Sequence, residues 1–279
     1  MHVRSPRVIV LSLCLAAASA ATLAAQTMVG FTDPPSPRLD VHPFTDAEVD
    51  DLIGTLDRVF AGPLPAGDPL ADPELQLWKF MRWVQTGELA PTQEARVVTR
   101  LDRLALEHPQ YATLIERQRS AIPALTIGKV APDISGNDLD GVRFNLSDYR
   151  GKVVVLTFSG NWCGICRAQY PVERRLLDMY KDAPFAMLGV NSDRTLDVAR
   201  QGLAESGLAY RSWWDGYAAS NVEGPISTAY NVYGWPTTYV LDPQGVIRFV
   251  DVRQDDLVEA VQQLLTQAMP GAPTMQASR

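Results

Sequence analysis

A predicted buried strand that leads directly into two cysteines constrains this chain most. The run KVVVLTF, residues 152–158, is almost continuously apolar and rich in β-branched residues, which is typical of a central strand buried on both faces. The segment SGNWCGIC follows it and places Cys163 and Cys166 at the start of a helical pattern that extends to about Lys181. The sequence therefore predicts two thiols between a central strand and a helix, where open α/β sheets usually place their chemistry.

Strands and helices alternate through the rest of this half of the chain. A second buried strand is predicted over 185–191, and a helix over about 195–205. Two further strands, 237–241 and 246–252, flank the turn DPQG, and a last helix is predicted over about 255–267. This order predicts an α/β fold in which a mixed central sheet is flanked by helices.

The preceding part of the chain predicts helices only. Its first helix opens with a capping box between Thr45 and Glu48, and a second begins at Asp72 with proline at the first helical position. A third helix is predicted over about 92–107 and a short fourth over 111–115, followed by a linker with the sequence SAIPALTIGKVAPDI. This pattern predicts a small all-helical region and contains no motif that indicates what the region does.

The first residues have the pattern of a secretory signal peptide, with basic residues ahead of an apolar run from Val8 to about Ala18. Cleavage after Ala20 or near Ala25 would remove Cys14 together with the signal. An uncleaved membrane anchor stays open, because the apolar run is borderline in length for a bilayer span. Either way, the sequence predicts an exported protein, periplasmic or otherwise extracytoplasmic, that touches a membrane only if this segment is retained.

The composition argues against nucleic acid as a partner. The net charge is −7 and becomes more negative when the basic signal segment is removed, so the surface would repel phosphate backbones. His42 and His108 are the histidines left after cleavage, and both belong to the helical region. The sequence therefore predicts neither a metal nor an organic cofactor.

A cysteine pair of this kind can form part of a zinc site, a structural disulfide or a redox couple. A structural zinc site needs about four ligands, which the sparse histidines do not supply. A structural disulfide across so short a loop would restrict the unfolded chain very little. A redox couple fits better, because unpaired N–H groups and the dipole at a helix start favour a thiolate. Cys163 is the expected nucleophile, and Cys166, one turn later, the expected resolving thiol.

Two segments of the chain resemble a known family. FSGNWCGICRAQYP, followed about 70 residues later by YGWPTTYVLDPQG, is similar to the thioredoxin superfamily, and most closely to its exported TlpA/ResA-like thiol-disulfide oxidoreductases. The lead-in VAPDISGNDLDGVRFNLSDYRGKVVVLTF resembles the start that this group shares with peroxiredoxins of the AhpC/TSA type. The resemblance covers about 130–265 and leaves out the helical region.

The resemblance implies a thioredoxin-like fold and a role for particular residues. Cys163 would attack a substrate disulfide, and Cys166 would resolve the mixed disulfide. Pro171 would interrupt the helix that follows, and Pro236 would be the cis-proline that faces the cysteines. The substrate-binding residues implied by the resemblance are Trp162, Trp235, Pro236 and Thr237.

This sequence departs from the family pattern at several positions. Thr157 stands where thioredoxins keep a buried aspartate, and Gln169 where some exported reductases carry a glutamate. Ile165 replaces the proline that is common between the cysteines, and Trp235 is larger than the residue usual before the cis-proline. Neither expected proton-relay position therefore holds an acid.

The divisions that we predict along the chain are a signal peptide at 1–25, a linker at 26–41, a helical region of unknown role at 42–120, a thioredoxin-like domain at 121–269 and a disordered tail at 270–279.

The predicted function is an exported thiol-disulfide oxidoreductase that reduces disulfides of proteins or of apocytochromes. Its predicted partners are a protein disulfide substrate and a membrane or soluble thiol electron donor. One alternative is a thiol-dependent peroxidase, although Leu156 and Gly160 occupy the places where peroxiredoxins need a proline and a threonine or serine. Another is a non-enzymatic thioredoxin-like binding module.

Overall fold

A computed structural model describes residues 31, 39, 41–61, 72–216 and 224–268 of the 279-residue chain. The predicted signal peptide and tail, and most of the predicted linker at 26–41, lie outside the described residues. Within the described ranges, no helix combines the length and the apolar character that crossing a bilayer requires.

The predicted helical region is confirmed. Its helices are α1 (Asp46–Phe60), α2 (Pro73–Val84), α3 (Pro91–Glu107) and α4 (Ala112–Leu125), and a short 3-10 turn, Pro109–Tyr111, precedes α4. The predicted capping box opens α1, because the Glu48 N–H donates to the Thr45 hydroxyl and the Thr45 N–H donates to the Glu48 carboxylate. The Asp72 carboxylate caps α2 by accepting from the Glu74 N–H.

The predicted linker after the fourth helix is wrong over its first six residues. Helix α4 continues to Leu125 with Pro123 inside it. A proline inside a helical pattern normally indicates a stop, because it removes a backbone donor. Here Ile122 and Leu125 are almost fully buried, and the Thr126 hydroxyl donates to the Ile122 carbonyl at 2.8 Å. Burial of the apolar side chains therefore extends the helix past the proline.

The predicted mixed sheet is also confirmed. The strands are β1 (Ser135–Asn137), β2 (Arg143–Asn145), β3 (Val153–Ser159), β4 (Phe185–Asn191), β5 (Arg211–Trp214), β6 (Thr237–Leu241) and β7 (Ile247–Val250). Five of them form a sheet in the order β5-β4-β3-β6-β7, with β3, β4 and β5 parallel and both β6 and β7 antiparallel to their neighbours. Sequence patterns missed β5 and a two-stranded hairpin, β1 with β2, because these strands are short. The remaining helices are α5 (Gly164–Met179), α6 (Leu196–Glu205), α7 (Pro225–Ala229) and α8 (Gln254–Ala268).

The two faces of this sheet are covered by different parts of the chain. Val153 and Val155 of β3 pack in one apolar cluster with residues of α5 and α8. Leu156 and Phe158 point to the other face and belong to a second cluster that continues into α1–α4. Because side chains alternate along a strand, β3 joins both clusters. The helical region and the sheet therefore share one apolar core.

Candidate functional site

The cysteines lie where the sequence predicts them, between the end of β3 and the start of α5. Cys163 is the N-cap residue of α5, and its Sγ accepts a hydrogen bond from the Cys166 N–H at 3.1 Å. The two Sγ atoms are joined as a disulfide, with a Cα–Cα distance of 5.2 Å. Exposed fractions of 6% for Cys163 and 1% for Cys166 make the first cysteine the more accessible.

Residues 231–236, which we call the proline loop, lead into the strand next to β3 and approach the cysteine pair. The Trp235–Pro236 peptide bond is cis, as the family resemblance implies. The Trp235 carbonyl oxygen lies 3.6 Å from Cys163 Sγ. Strand β6 starts at Thr237, which is in register with Phe158 of β3 and donates its hydroxyl to the Gly234 carbonyl. Pairing of β6 with β3 therefore holds the proline loop opposite Cys163.

Apolar side chains surround Cys163 at the surface. Trp162 is 46% exposed, and Ile165, between the cysteines, is 65% exposed. The Trp162 ring meets the Trp235 ring edge to face, with centroids 5.7 Å apart, and its indole N–H donates to the Ser192 hydroxyl. Exposed aromatic and aliphatic side chains beside a thiol suit contact with another polypeptide.

Known proteins are similar to the part of the chain that carries the cysteines. The AhpC/TSA family model matches residues 127–250. The thiol-disulfide oxidoreductase ResA of Geobacillus kaustophilus is 34% identical over 125 residues, which cover 45% of this chain and 68% of the relative. The thioredoxin-like protein YneN of Bacillus subtilis is 34% identical over 130 residues, covering 45% of this chain and 71% of that protein.

The chain belongs to the ResA-like thiol-disulfide oxidoreductases. The thioredoxin-like fold and the enzyme class predicted from the sequence are thereby confirmed.

Solved structures resemble the same part of the oxidoreductase. The thioredoxin domain of a thiol-disulfide oxidoreductase from Bacteroides vulgatus is 29% identical, with a TM-score of 0.46, and the match covers 51% of this chain and 99% of that one. A putative thiol:disulfide interchange protein DsbE from Chlorobium tepidum is also 29% identical, with a TM-score of 0.45, over 52% of this chain and 99% of that one.

Thr157 and Gln169, the two positions where related proteins carry an acid, are both buried. Thr157 is 1% exposed and Gln169 is 2% exposed. Within the part of the chain that the structure describes, Thr157 Oγ1 and Gln169 Nε2 have no hydrogen-bond partner. The oxidoreductase therefore keeps polar side chains at both positions, but neither can accept a proton as a carboxylate does.

A buried acid that the sequence analysis missed lies one turn beyond Gln169. Glu173 is 2% exposed and accepts a hydrogen bond from the Tyr210 hydroxyl at 3.1 Å. Burial raises the pKa of Glu173 to about 7, although the bond from Tyr210 acts in the opposite direction. Cys166, Gln169 and Glu173 are spaced at i, i+3 and i+7, which places them along one face of α5. This helical spacing is the sequence signal by which Glu173 could have been predicted to lie near Cys166.

Two other residues of α5 lie close to the cysteines in the sequence, and one of them contacts the loop before Cys163. Pro171 lies inside α5, as predicted. The guanidinium of Arg167, one turn after Cys163, donates to the Asn161 carbonyl in the loop before the cysteines. Among the described residues, no group of three or more histidine, cysteine, aspartate or glutamate side chains could hold a metal ion.

Proposed function

We propose that this oxidoreductase is exported and reduces protein disulfides, including those of apocytochromes, through Cys163 and Cys166. One observation carries the proposal: Cys163 is the more exposed cysteine of the pair, and its Sγ lies 3.6 Å from the carbonyl oxygen of the residue before the cis-proline. A disulfide in an extended substrate segment laid along this loop would bring a sulfur atom to Cys163.

The exchange would proceed in two steps. In the reduced enzyme, the Cys163 thiolate attacks one substrate sulfur, so a mixed disulfide forms and the other substrate sulfur leaves as a thiolate. The Cys166 thiol then gives up its proton, which balances the substrate thiolate released in the first step, and the Cys166 thiolate attacks Cys163 Sγ. This releases the second substrate thiolate and leaves the Cys163–Cys166 disulfide. Two electrons have passed to the substrate, and a thiol donor returns them by the same exchange in reverse.

The residues beside Cys163 would contribute to substrate binding in different ways. The exposed Trp162 ring and the Trp235 ring it contacts offer apolar area to the chain that carries the disulfide. Pro236 has no backbone N–H, and the backbone group next to it that lies near Cys163 is the Trp235 carbonyl. The hydroxyl of Thr237 is bonded to the Gly234 carbonyl, which supports a role in holding the loop for the substrate.

The sequence supports the proposed export and the proposed thiol electron donor. The signal-peptide pattern at 1–25 supports export, where disulfides form and a reductase needs a separate electron source. The donor would be a membrane or soluble thiol protein that reaches the same cysteine pair.

Trapping the intermediate tests the proposal. In full-length protein with Cys14→Ser, we expect Cys166→Ala to accumulate a mixed disulfide with an oxidised protein substrate such as insulin, because no resolving thiol remains. Cys163→Ser, the matched control, should form none and should lose insulin reduction. Full activity of Cys163→Ser, with no adduct on Cys166→Ala, would show that the pair does not carry the reaction.

The peroxidase alternative has weaker support. The AhpC/TSA model matches the chain, but Gly160 stands where a peroxidase needs threonine or serine. A Cβ atom at Gly160 would lie 2.5 Å from Trp162 Nε1 and 3.1 Å from Ser192 Oγ. Trp162 therefore fills the space that the hydroxyl-bearing side chain would take. Rapid consumption of hydrogen peroxide with a thiol donor would favour the alternative.

A further inference from the structure

The helical region contacts residues before the cis-proline directly and reaches a residue after it through Asp251. The proline loop ends at the cis Trp235–Pro236 bond, and the Trp235 carbonyl lies near Cys163 Sγ. The family model begins at residue 127, so α1–α4 lie outside it. Any effect of α1–α4 on the proline loop is therefore particular to this chain's own helical region.

The first half of the proline loop is held by α4 and α2. Gln118 and Asn231 exchange two hydrogen bonds between their side-chain amides, at 2.6 and 3.3 Å. The Arg117 guanidinium donates to the Val232 carbonyl at 3.1 Å. The rings of Trp78 and Tyr233 pack with their centroids 5.5 Å apart. Three consecutive loop residues thus each contact a different side chain of the helical region.

The backbone at Asn231 gives the amide pair a specific role. Asn231 has a φ of +50°, in the left-handed region that non-glycine residues seldom adopt. Asparagine tolerates this conformation better than most residues, and a fixed side chain stabilises it further. Gln118 is 6% exposed, so its amide is committed to this contact rather than to water. The pair therefore sets the direction in which the chain enters the proline loop.

Thr238 of β6, just after the loop, is held through an ion pair. Arg82 of α2 lies 2.8 Å from Asp251 Oδ2, and both side chains are 10% exposed. The other oxygen of Asp251 accepts from the Thr238 N–H at 3.0 Å, and the Asp251 N–H donates to the Thr238 carbonyl. Arg253 donates to the Pro236 carbonyl at 3.0 Å. A shift of α2 would therefore be transmitted to Thr238, two residues after the cis-proline.

We propose that the helical region positions the proline loop for protein substrates, and that Gln118 is a positioning residue for thiol-disulfide exchange. The inference rests on the proposed function, because it assumes that a substrate polypeptide lies along this loop. A displaced loop would move the substrate disulfide away from the line of attack of Cys163, where small errors in placement lower rates strongly. A small disulfide that reaches Cys163 without the loop would not sense the change.

The test compares a protein disulfide with a small one in Gln118→Leu. Leucine keeps most of the volume of glutamine and removes both hydrogen bonds to Asn231. We expect kcat/KM for insulin reduction to fall about tenfold, and kcat/KM for 5,5′-dithiobis(2-nitrobenzoate) to change less than about twofold. The midpoint potential of the Cys163–Cys166 pair should stay at the wild-type value.

A matched control separates positioning from general weakening of the helical region. Gln93 of α3 is also 6% exposed, and its amide bonds to Phe44 and Ala90 backbone groups and to Asp46, all within the helical region. Gln93→Leu should retain insulin reduction. Asn231→Gly, which keeps the left-handed conformation and removes the amide, should lose as much as Gln118→Leu, and the double variant should lose no more.

Each outcome decides the proposal. Unchanged insulin reduction in Gln118→Leu, an equal loss with both probes, a shifted potential or an equal loss in Gln93→Leu would each overturn it. If the wild-type enzyme reduces neither probe, the proposed function is wrong. Hydrogen exchange at residues 231–238 then decides the loop assignment, and equal rates in wild type and Gln118→Leu would overturn it.

Discussion

The two faces of the central sheet are built in different ways. The face toward α5 and α8 is covered by helices of the thioredoxin-like part itself, and it carries the cysteines together with the buried Glu173. The opposite face is covered in large part by α1–α4, which precede the region that the family model matches. One face therefore carries the thiols, and the other supports the loop that faces them.

The helical region and the thioredoxin-like part of the enzyme share one apolar cluster. The apolar cluster on the second face runs without a break from Leu56 and Phe80 to Phe158 and Tyr239. Polar contacts along its border, such as Arg82 with Asp251, end beside the proline loop. Because packing and polar contacts coincide there, a change in the helical region would reach the proline loop.

The largest expected effect comes from breaking the second face. Phe80 of α2 is fully buried, and Phe80→Ala should lower the free energy of unfolding by about 3–5 kcal/mol. Because both regions share one core, far-ultraviolet circular dichroism and tryptophan fluorescence should report the same single transition in urea.

A variant on the other face provides the control for Phe80→Ala. Leu264→Ala in α8 removes a side chain that is 3% exposed and should shift the same transition by about 2–5 kcal/mol. If the helical signal of Phe80→Ala were lost in a separate, earlier transition, the two regions would be independent units, and the shared core would be disproved.

A smaller, pH-dependent effect is expected on the cysteine face. Burial raises the folded-state pKa of Glu173 to about 7 from an ordinary value of 4.5. Between these pH values the folded protein binds a proton that the unfolded chain has lost, so stability falls as pH rises, by up to about 3 kcal/mol. Glu173→Gln stays neutral and can still accept the bond from Tyr210. Its advantage over wild type in urea unfolding should therefore grow between pH 5 and pH 8.

An exposed glutamate serves as the control for that pH dependence. Glu259 lies on the exposed side of α8, and Glu259→Gln makes the same substitution at an exposed position in the same unfolding series. A stability difference for Glu173→Gln that stays constant with pH would mean that its carboxyl group is not held in a low-dielectric site.

The smallest effect is expected on the outer surface of the helical region. Arg96 pairs with Asp46 and Asp50, whose side chains are 77% and 66% exposed. Solvent screens such pairs, so Arg96→Ala should cost less than about 1 kcal/mol in urea unfolding and leave insulin reduction unchanged. A loss of activity comparable to that of Gln118→Leu would show that the proline loop responds to any change in the helical region.

Much of the cysteine face could be predicted from local sequence. The apolar run of β3, the spacing of Cys163 and Cys166, and the turn between β6 and β7 each indicate structure within a few residues. Pro236 became recognisable only through its resemblance to a family pattern. Glu173 was not predicted, although its spacing from Cys166 places it on the same face of α5.

The contacts of the helical region with the proline loop could not be predicted. Gln118 and Asn231 are 113 residues apart, and Arg82 and Asp251 even further. No local pattern indicates such pairs, because they depend on how α1–α4 pack on the sheet. The continuation of α4 past Pro123 was missed for the same reason, since the burial of Ile122 and Leu125 depends on tertiary packing.

Hydrogen exchange across the proline loop tests the central claim most directly. In the oxidised protein, Gln118→Leu should raise the exchange rate of backbone amides at 231–238 by about tenfold, because the contact that fixes the start of the loop is lost. Amides of α5 at 172–176, on the other face, should exchange as in wild type. Wild-type rates throughout 231–238 would contradict the claim that the helical region holds this loop in place.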